Sequence, residues 1–379
     1  MATAPTASPQ SSAKAPGAAL PPPVAGDLLP DFQLQDQSMR VSVLSTQALG
    51  QPIALLLTPD PAAPAAAKLL RAVAEAWNDV GAQFHLFCIT AVPPPANAKA
   101  QSLGALPFPL LSDPQGQVAG GLGHPWRRQS DPFALPQCLL LIADANRRIR
   151  LVDPAASDPL AQLRAYLAAR PQPAPRLFQG PLAPAIYVPD VLEPDLCRQL
   201  IALHARENEP SGVLQDVAGG GRTVEDSRVK NRRDHYLKDP AIVGTIKLRF
   251  ARRLLPEIAK ATFYRVTAFE EFKVARYDAE SGGFFKPHRD NNTLSGAHRR
   301  FAVTLNLNAE EYEGGELTFP EYGPDLFKPA SGDAVAFSCS LLHEARAVTE
   351  GQRYVLLAFL FGEDAKGLRT PVRKKTPPA

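Results

Sequence analysis

Two imidazoles and a carboxylate, His288, Asp290 and His343, form a donor set that can hold one divalent metal by a single face. The metal's other positions then stay open for a second ligand and dioxygen, which is chemistry suited to Fe(II). The local run is Phe284-Phe285-Lys286-Pro287-His288-Arg289-Asp290, and His343 follows far downstream in Leu341-Leu342-His343-Glu344. On a strand, residues i and i+2 point the same way, so His288 and Asp290 can meet one ion while Arg289 points away. His343 must then come from another strand of the same barrel. Ten residues later Arg353 emerges from the apolar run Tyr354–Leu360, where a poorly solvated cation requires an anionic partner. Its planar fork matches a carboxylate with two parallel hydrogen bonds, which lysine cannot provide. Isolated histidines in such segments are usually structural or surface residues, and His85, His124, His204, His235 and His298 take that reading.

The elements that must carry these groups can be read from period-two patterns and turn residues. Glu271–Tyr277 reads as a strand that places Tyr277 near the ligands. Arg300–Asn308 and Tyr312–Pro320 read as two strands joined by a turn, with Gly314-Gly315 giving the chain its freedom. Ser331-Gly332-Asp333 turns into a short strand, Ala334–Phe337. Upstream, Glu193-Pro194-Asp195 opens a helix with proline in its first turn. A second helix starts at Asp239-Pro240 and carries Ile242, Ile246, Phe250, Leu254 and Leu255. Both are expected to buttress the barrel. Gly219-Gly220-Gly221 reads as a flexible loop where a substrate lid could sit, Lys286 as a solvated residue, and Arg299-Arg300 as a solvated barrel edge.

Taken together, Tyr277, His288-x-Asp290, the Leu305-Asn306 strand leading to Gly314-Gly315-Glu316-Leu317-Thr318-Phe319-Pro320, the Gly332-Asp333 turn, His343 and Arg353 resemble the 2-oxoglutarate/Fe(II)-dependent dioxygenases, in their prolyl-4-hydroxylase-like branch. The resemblance covers roughly residues 186–363. It implies a double-stranded β-helix (jelly roll) and dependence on Fe(II), 2-oxoglutarate and L-ascorbate. It makes His288, Asp290 and His343 the metal-binding and catalytic residues. Arg353 would grip the distal carboxylate of 2-oxoglutarate, with Tyr277 hydrogen-bonding the same group. Animal collagen-type members use lysine where this chain has Arg353, which loosens any transfer of the collagen substrate. The expected substrate is a protein or peptide side chain, with a free amino acid or other small molecule as the alternative, and O2 as co-reactant.

The N-terminal half alternates strands and helices: Pro52–Leu57, Ala65–Asn78, Phe84–Ile89, Cys138–Asp144, then a turn at 146–148 and Ile149–Val152. That alternation implies an α/β sheet with helices on both faces. The segment resembles the peroxiredoxin-like branch of the thioredoxin fold. Relatives of that branch place a threonine and a peroxidatic cysteine near Ala63 and Ala66, and both are alanine here. Without a thiolate the peroxidase reaction has no nucleophile. The domain is expected to serve docking, a protein partner or self-association. The chain therefore divides into a disordered arm (1–24), a thioredoxin-like domain (25–170), a Pro-rich linker (171–184), the dioxygenase domain (185–365) and a flexible tail (366–379). Three classes compete: a hydroxylase, a thiol peroxidase with an accessory barrel, and a non-catalytic binding protein.

Composition sets the remaining bounds. The chain has 379 residues, 45% hydrophobic and 21% charged, with a net charge of +3. That is globular and long enough for two cores, and it lacks the basic footprint of a nucleic-acid binder. Cys88, Cys138, Cys197 and Cys339 show no Cys-x-x-Cys pairing, and buried free thiols in a reducing, cytoplasmic setting are expected. No apolar run is long enough to cross a membrane, and no signal-peptide pattern opens the chain.

Overall fold

The computed structural model describes residues 21–123, 138–171, 174–217, 220–369 and 372–373. It divides into two compact units, one comprising the residues before Gly26 together with 29–171, and the other 172–379 together with Gly26–Leu28. The expected disordered arm and tail lie mostly outside the described residues.

The first unit is a seven-stranded sheet. Ile53–Leu57 is an inner strand, parallel to His85–Thr90 and antiparallel to Leu139–Ala143, and every residue of Ile53–Leu57 is buried. Helices cover both faces, as strands apolar on both sides require. Pro64–Glu75 and Pro159–Ala169 pack Leu70, Val73 and Leu163 against Ala54 and Leu56, while Leu44 and Ala119 belong to the core on the other face.

In the second unit, a nine-stranded sheet and a five-stranded sheet form the two walls of the jelly roll. Strand Val348–Phe361 is central, pairing with Lys273–Asp278 on one side and Phe301–Asn306 on the other. Its alternate residues Tyr354, Leu356, Ala358 and Leu360 face an outer core shared with Leu200, Ile246, Phe250 and Ile258. The helices Pro194–Arg206, Pro240–Arg249 and Leu255–Thr262 thus buttress the larger sheet. Between the last two helices the chain widens into a π-turn, Phe250–Leu254. Pro256 explains it: the ring has no N–H to offer the carbonyl of Arg252 and would collide with it in a regular turn. That carbonyl accepts instead from the Leu28 N–H at 3.1 Å. Asp27 alongside is fully buried, 3.1 Å from Arg252 and 2.8 Å from Arg253.

Three local readings change. The glycine run is no loop at its C-terminal end: Gly220–Val224 pairs with Val213–Val217 as a hairpin whose tip, 218–219, lies outside the described residues. The tail is not wholly irregular, because Val372–Arg373 adds in parallel to that hairpin. Arg299 is no solvated edge residue. Its guanidinium makes a two-pronged pair with Glu270, at 2.6 and 2.8 Å, and stacks 3.8 Å from the centre of the Phe359 ring.

Candidate metal centre

The ligand candidates meet because two strands of the smaller sheet pair antiparallel. Phe284–His288 lies against His343–Ala345, with His288 directly opposite His343. The register slips between Phe285 and His288. Pro287 in that interval has no N–H for the ladder, a usual cause of such a bulge. His288 is consequently the last residue of its strand, and Asp290 lies beyond it rather than on it as the sequence pattern suggested. Asp290 is fixed separately, by its backbone N–H donating to the Cys339 carbonyl at 3.0 Å.

Both imidazoles are oriented by their own strand. His288 Nδ1 lies 2.7 Å from the Lys286 carbonyl, and His343 Nδ1 lies 3.0 Å from the Leu341 carbonyl. A carbonyl only accepts, so each Nδ1 carries the proton and each Nε2 presents a lone pair inward. The Asp290 carboxylate lies 3.5 Å from His288 Nε2 and 3.3 Å from His343 Nε2. Three donor atoms within 4.8 Å of one another define the cluster. Two donors each about 2.1 Å from one ion and at a right angle lie about 3 Å apart, so the set fits a single divalent ion held on one face. The Phe285 ring stacks on His288 with centroids 3.4 Å apart, and Phe337 meets His343 edge-on at 4.6 Å. Burial pushes His288 down despite Asp290. In His343 the same burial is overridden by the Asp290 carboxylate, which raises it, and Asp290 itself is held well below the usual carboxylate range by the two histidines.

Arg353 and Tyr277 are cross-strand partners on the larger sheet. Arg353 is buried, with its guanidinium 5.1 Å from the Tyr277 ring centre and Nη2 3.4 Å from the Thr304 hydroxyl. Its Nε has no hydrogen-bond partner. A buried guanidinium left short of acceptors fits a dianionic ligand that brings a carboxylate. Gly315 makes room for it: at φ +67° a Cβ there would lie 2.9 Å from Arg353 Cδ. A cavity of about 990 Å³ joins these groups to His288, Asp290 and His343.

Sequence reasoning missed one wall of this cavity. Lys230, Arg232 and Asp234 line it together, and all three are buried. Arg232 lies 2.9 Å from Asp234 and donates to the Tyr277 hydroxyl at 2.9 Å, and Lys273 lies 3.4 Å from Asp234. Asp234 is driven far below the normal carboxylate range because Arg232, Lys273 and Lys230 outweigh its burial. The spacing of three charges at i, i+2 and i+4 was the available signal, since it puts them on one face of an extended chain.

Residues 272–361 match the family described as the 2OG-Fe(II) oxygenase superfamily. Residues 25–152 match the AhpC/TSA family. The C-terminal unit thus carries a 2OG-Fe(II) oxygenase domain, and the N-terminal unit an AhpC/TSA domain with Ala63 and Ala66, neither a thiol, at the start of the helix Pro64–Glu75. Among curated proteins the similarity is to PKHD-type hydroxylases. One from Maricaulis maris is 28% identical over 157 residues, 39% of this chain and 70% of that protein. Another from Acaryochloris marina is 36% identical over 83 residues, 21% of this chain and 38% of that protein. Among solved structures, a prolyl-4-hydroxylase from Pseudomonas putida aligns at 20% identity over 54% of this chain and 99% of its own, with a TM-score of 0.35. A peroxidoxin from Mycobacterium tuberculosis aligns at 26% identity over 39% of this chain and 98% of its own, with a TM-score of 0.33. Among the described residues no helix is long and apolar enough to cross a membrane.

Proposed function

We propose that this protein is an Fe(II)- and 2-oxoglutarate-dependent hydroxylase of a protein or peptide side chain, of prolyl type, using L-ascorbate to keep the iron ferrous. The observation that supports this most directly is the joining, in one cavity, of the inward-facing Nε2 atoms of His288 and His343, the Asp290 carboxylate and the under-partnered Arg353. Bound by His288, Asp290 and His343, Fe(II) would supply the redox chemistry with dioxygen. One oxygen atom enters 2-oxoglutarate as it loses CO2 to become succinate, and the other enters a substrate C–H bond to give an alcohol.

The protein's groups orient and neutralise. The carbonyls of Lys286 and Leu341 keep both Nδ1 atoms protonated, so neither imidazole has to rearrange on binding metal. Arg353 meets the distal carboxylate of 2-oxoglutarate, with the Thr304 hydroxyl as a second donor. Tyr277 accepts from Arg232, which frees its own O–H to donate to the same carboxylate. The AhpC/TSA domain contributes no nucleophile in this scheme. Its two thiols, Cys88 and Cys138, are pushed up by burial, Cys138 to about 12, and it is left a docking or self-association role.

The test is succinate release from 2-oxoglutarate by the Fe(II)-loaded protein, with mass spectrometry for products heavier by one oxygen. Wild type is expected to form succinate and His343→Ala none. Equal turnover by His343→Ala would reject the metal site.

A further inference from the structure

The inner wall of the cavity carries more positive charge than its own carboxylates neutralise. Its cations are Lys230, Arg232, Lys273, Arg299 and Arg353, and its carboxylates are Asp234, Glu270 and Asp290. Five against three leaves two positive charges. Fe(II) and 2-oxoglutarate add nothing to that total, because their charges cancel. Of the remaining charged lining groups, Arg289 is paired with Glu321 at 2.6 Å, and the others, among them Lys238, Glu209 and Glu271, are exposed at the mouth, where water screens them.

The pairings show where the excess lies. Arg299 is satisfied by Glu270 and Arg353 awaits the cosubstrate. Arg232 lies 2.9 Å from one Asp234 oxygen and donates to the other at 3.1 Å, so Lys273, 3.4 Å from that second oxygen, shares a carboxylate already used. Lys230 has none. It is 6% exposed, its ammonium donates to the Gly212 carbonyl, and it stands 4.9 Å from the centre of the Phe285 ring. That ring in turn stacks on His288, which sets Lys230 one ring away from the metal ligands. An ammonium has three donors and Lys230 spends one on protein. Burial pushes both amines down, an effect that a carboxylate arriving beside them would reverse.

We infer that Lys230, supported by Lys273, is a specificity residue that binds a carboxylate of the substrate beside the iron. This deepens the hydroxylase reading and rests on it: the substrate class becomes one bearing a carboxylate close to the carbon that is oxidised. The carboxylate can belong to a free amino acid or to an acidic side chain of a peptide.

Acetate is the probe. Protein loaded with Mn(II) and saturated with 2-oxoglutarate is titrated calorimetrically with acetate, as wild type and as Lys230→Met, which keeps the stem and removes the charge. Wild type should bind acetate saturably, and Lys230→Met at least tenfold more weakly. Absence of saturable binding to wild type, or equal binding by the variant, overturns the inference. So does a loss of 2-oxoglutarate affinity in Lys230→Met as large as the loss for acetate, which would assign Lys230 to the cosubstrate. Should Lys230→Met fail to fold, Lys230→Arg keeps the charge and is required to retain acetate binding. The visible absorption band formed anaerobically by wild type with Fe(II) and 2-oxoglutarate separates the two levels. Without the band the hydroxylase reading itself falls; with the band and no acetate site, only the present inference does. The two sources are distinguished by products heavier by one oxygen from free amino acids against their amides, and from Asp- and Glu-bearing peptides against their Asn and Gln counterparts. Efficient oxidation of the amide forms overturns the carboxylate requirement.

Discussion

Replacing Arg353 by methionine should separate cosubstrate binding from stability, because the two are expected to move in opposite directions. Truncating one partner of a buried, hydrogen-bonded charge pair costs about 2–5 kcal/mol of binding. At about 1.4 kcal/mol per decade that is roughly 30- to 4000-fold in affinity. The structure selects the lower part of this range. The carboxylate left behind would keep the Thr304 hydroxyl, which lies 3.4 Å from Arg353, and the Tyr277 hydroxyl beside it. A loss of about 100-fold in 2-oxoglutarate affinity is therefore expected. Stability should respond differently. In the ligand-free protein Arg353 is 3% exposed and its Nε is unpaired, so methionine of similar length removes a desolvated cation and fills the same space. The unfolding temperature without ligand should stay the same or rise. The assay is anaerobic titration of the visible Fe(II)–2-oxoglutarate band, paired with thermal unfolding of the metal-free protein. Affinity within threefold of wild type would refute the assignment of Arg353 to the cosubstrate, and a marked drop in unfolding temperature would refute the argument that its charge is uncompensated.

Other outcomes follow from the same geometry. Glu270 is pulled to about 2, since its bonds to His298 and Arg299 outweigh burial. Its folded value lies below the unfolded one of about 4.3, so its contribution, about 3 kcal/mol, is complete above about pH 5 and is lost as pH falls toward 2. The stability gap between wild type and Glu270→Gln in urea should therefore narrow from pH 7 to pH 3, and a gap independent of pH would contradict this. Gly315→Ala must adopt φ +67° and crowd Arg353 Cδ at 2.9 Å. It should cost about 1–2 kcal/mol in backbone strain and weaken 2-oxoglutarate as well, readable by unfolding and by the same band titration. Full-length protein without iron should not consume hydrogen peroxide with any thiol donor. Turnover that disappears in Cys138→Ser would show that the nucleophile has moved.

The chemistry was more legible in the sequence than the wall that surrounds it. The strands Lys273–Asp278, Phe301–Asn306 and Ala334–Ser338 announce themselves as short, largely apolar runs, the last two buried along nearly their whole length as strands covered on both faces must be. His343 and Arg353 stand out as polar residues in apolar surroundings. Lys230, Arg232 and Asp234 do not, since charges spaced by two normally mark the solvent face of a strand. What turns them inward is compensation from residues distant in sequence: Lys273, Tyr277 and Ser211. The spacing of the three charges puts them on one face of an extended chain, but nothing local says that this face points inward. The displacement of Asp290 off its strand does have a local signature, in Pro287, whose effect on a ladder is predictable. The hairpin of Val213–Val217 with Gly220–Val224 was hidden by its glycines, which read as loop although pairing with the facing strand holds them extended.

The π-turn at Phe250–Leu254 carries a consequence for how separable the two halves are. Gly26–Leu28 belongs to the oxygenase unit although more than a hundred residues of the other unit follow it before the chain returns at 172. In linear sequence the AhpC/TSA domain precedes the oxygenase, yet the short strip Gly26–Leu28 within that stretch groups with the oxygenase. A cut in the Pro-rich linker, the natural place to divide the chain, would leave the oxygenase without its first three residues. Arg252 would lose the N–H that occupies its spare carbonyl, and Arg253, 2% exposed, would lose the Asp27 carboxylate at 2.8 Å. Shuffling or deletion at that linker is thus penalised by the fold itself, which gives this pairing of domains a persistence that needs no cooperation between their activities.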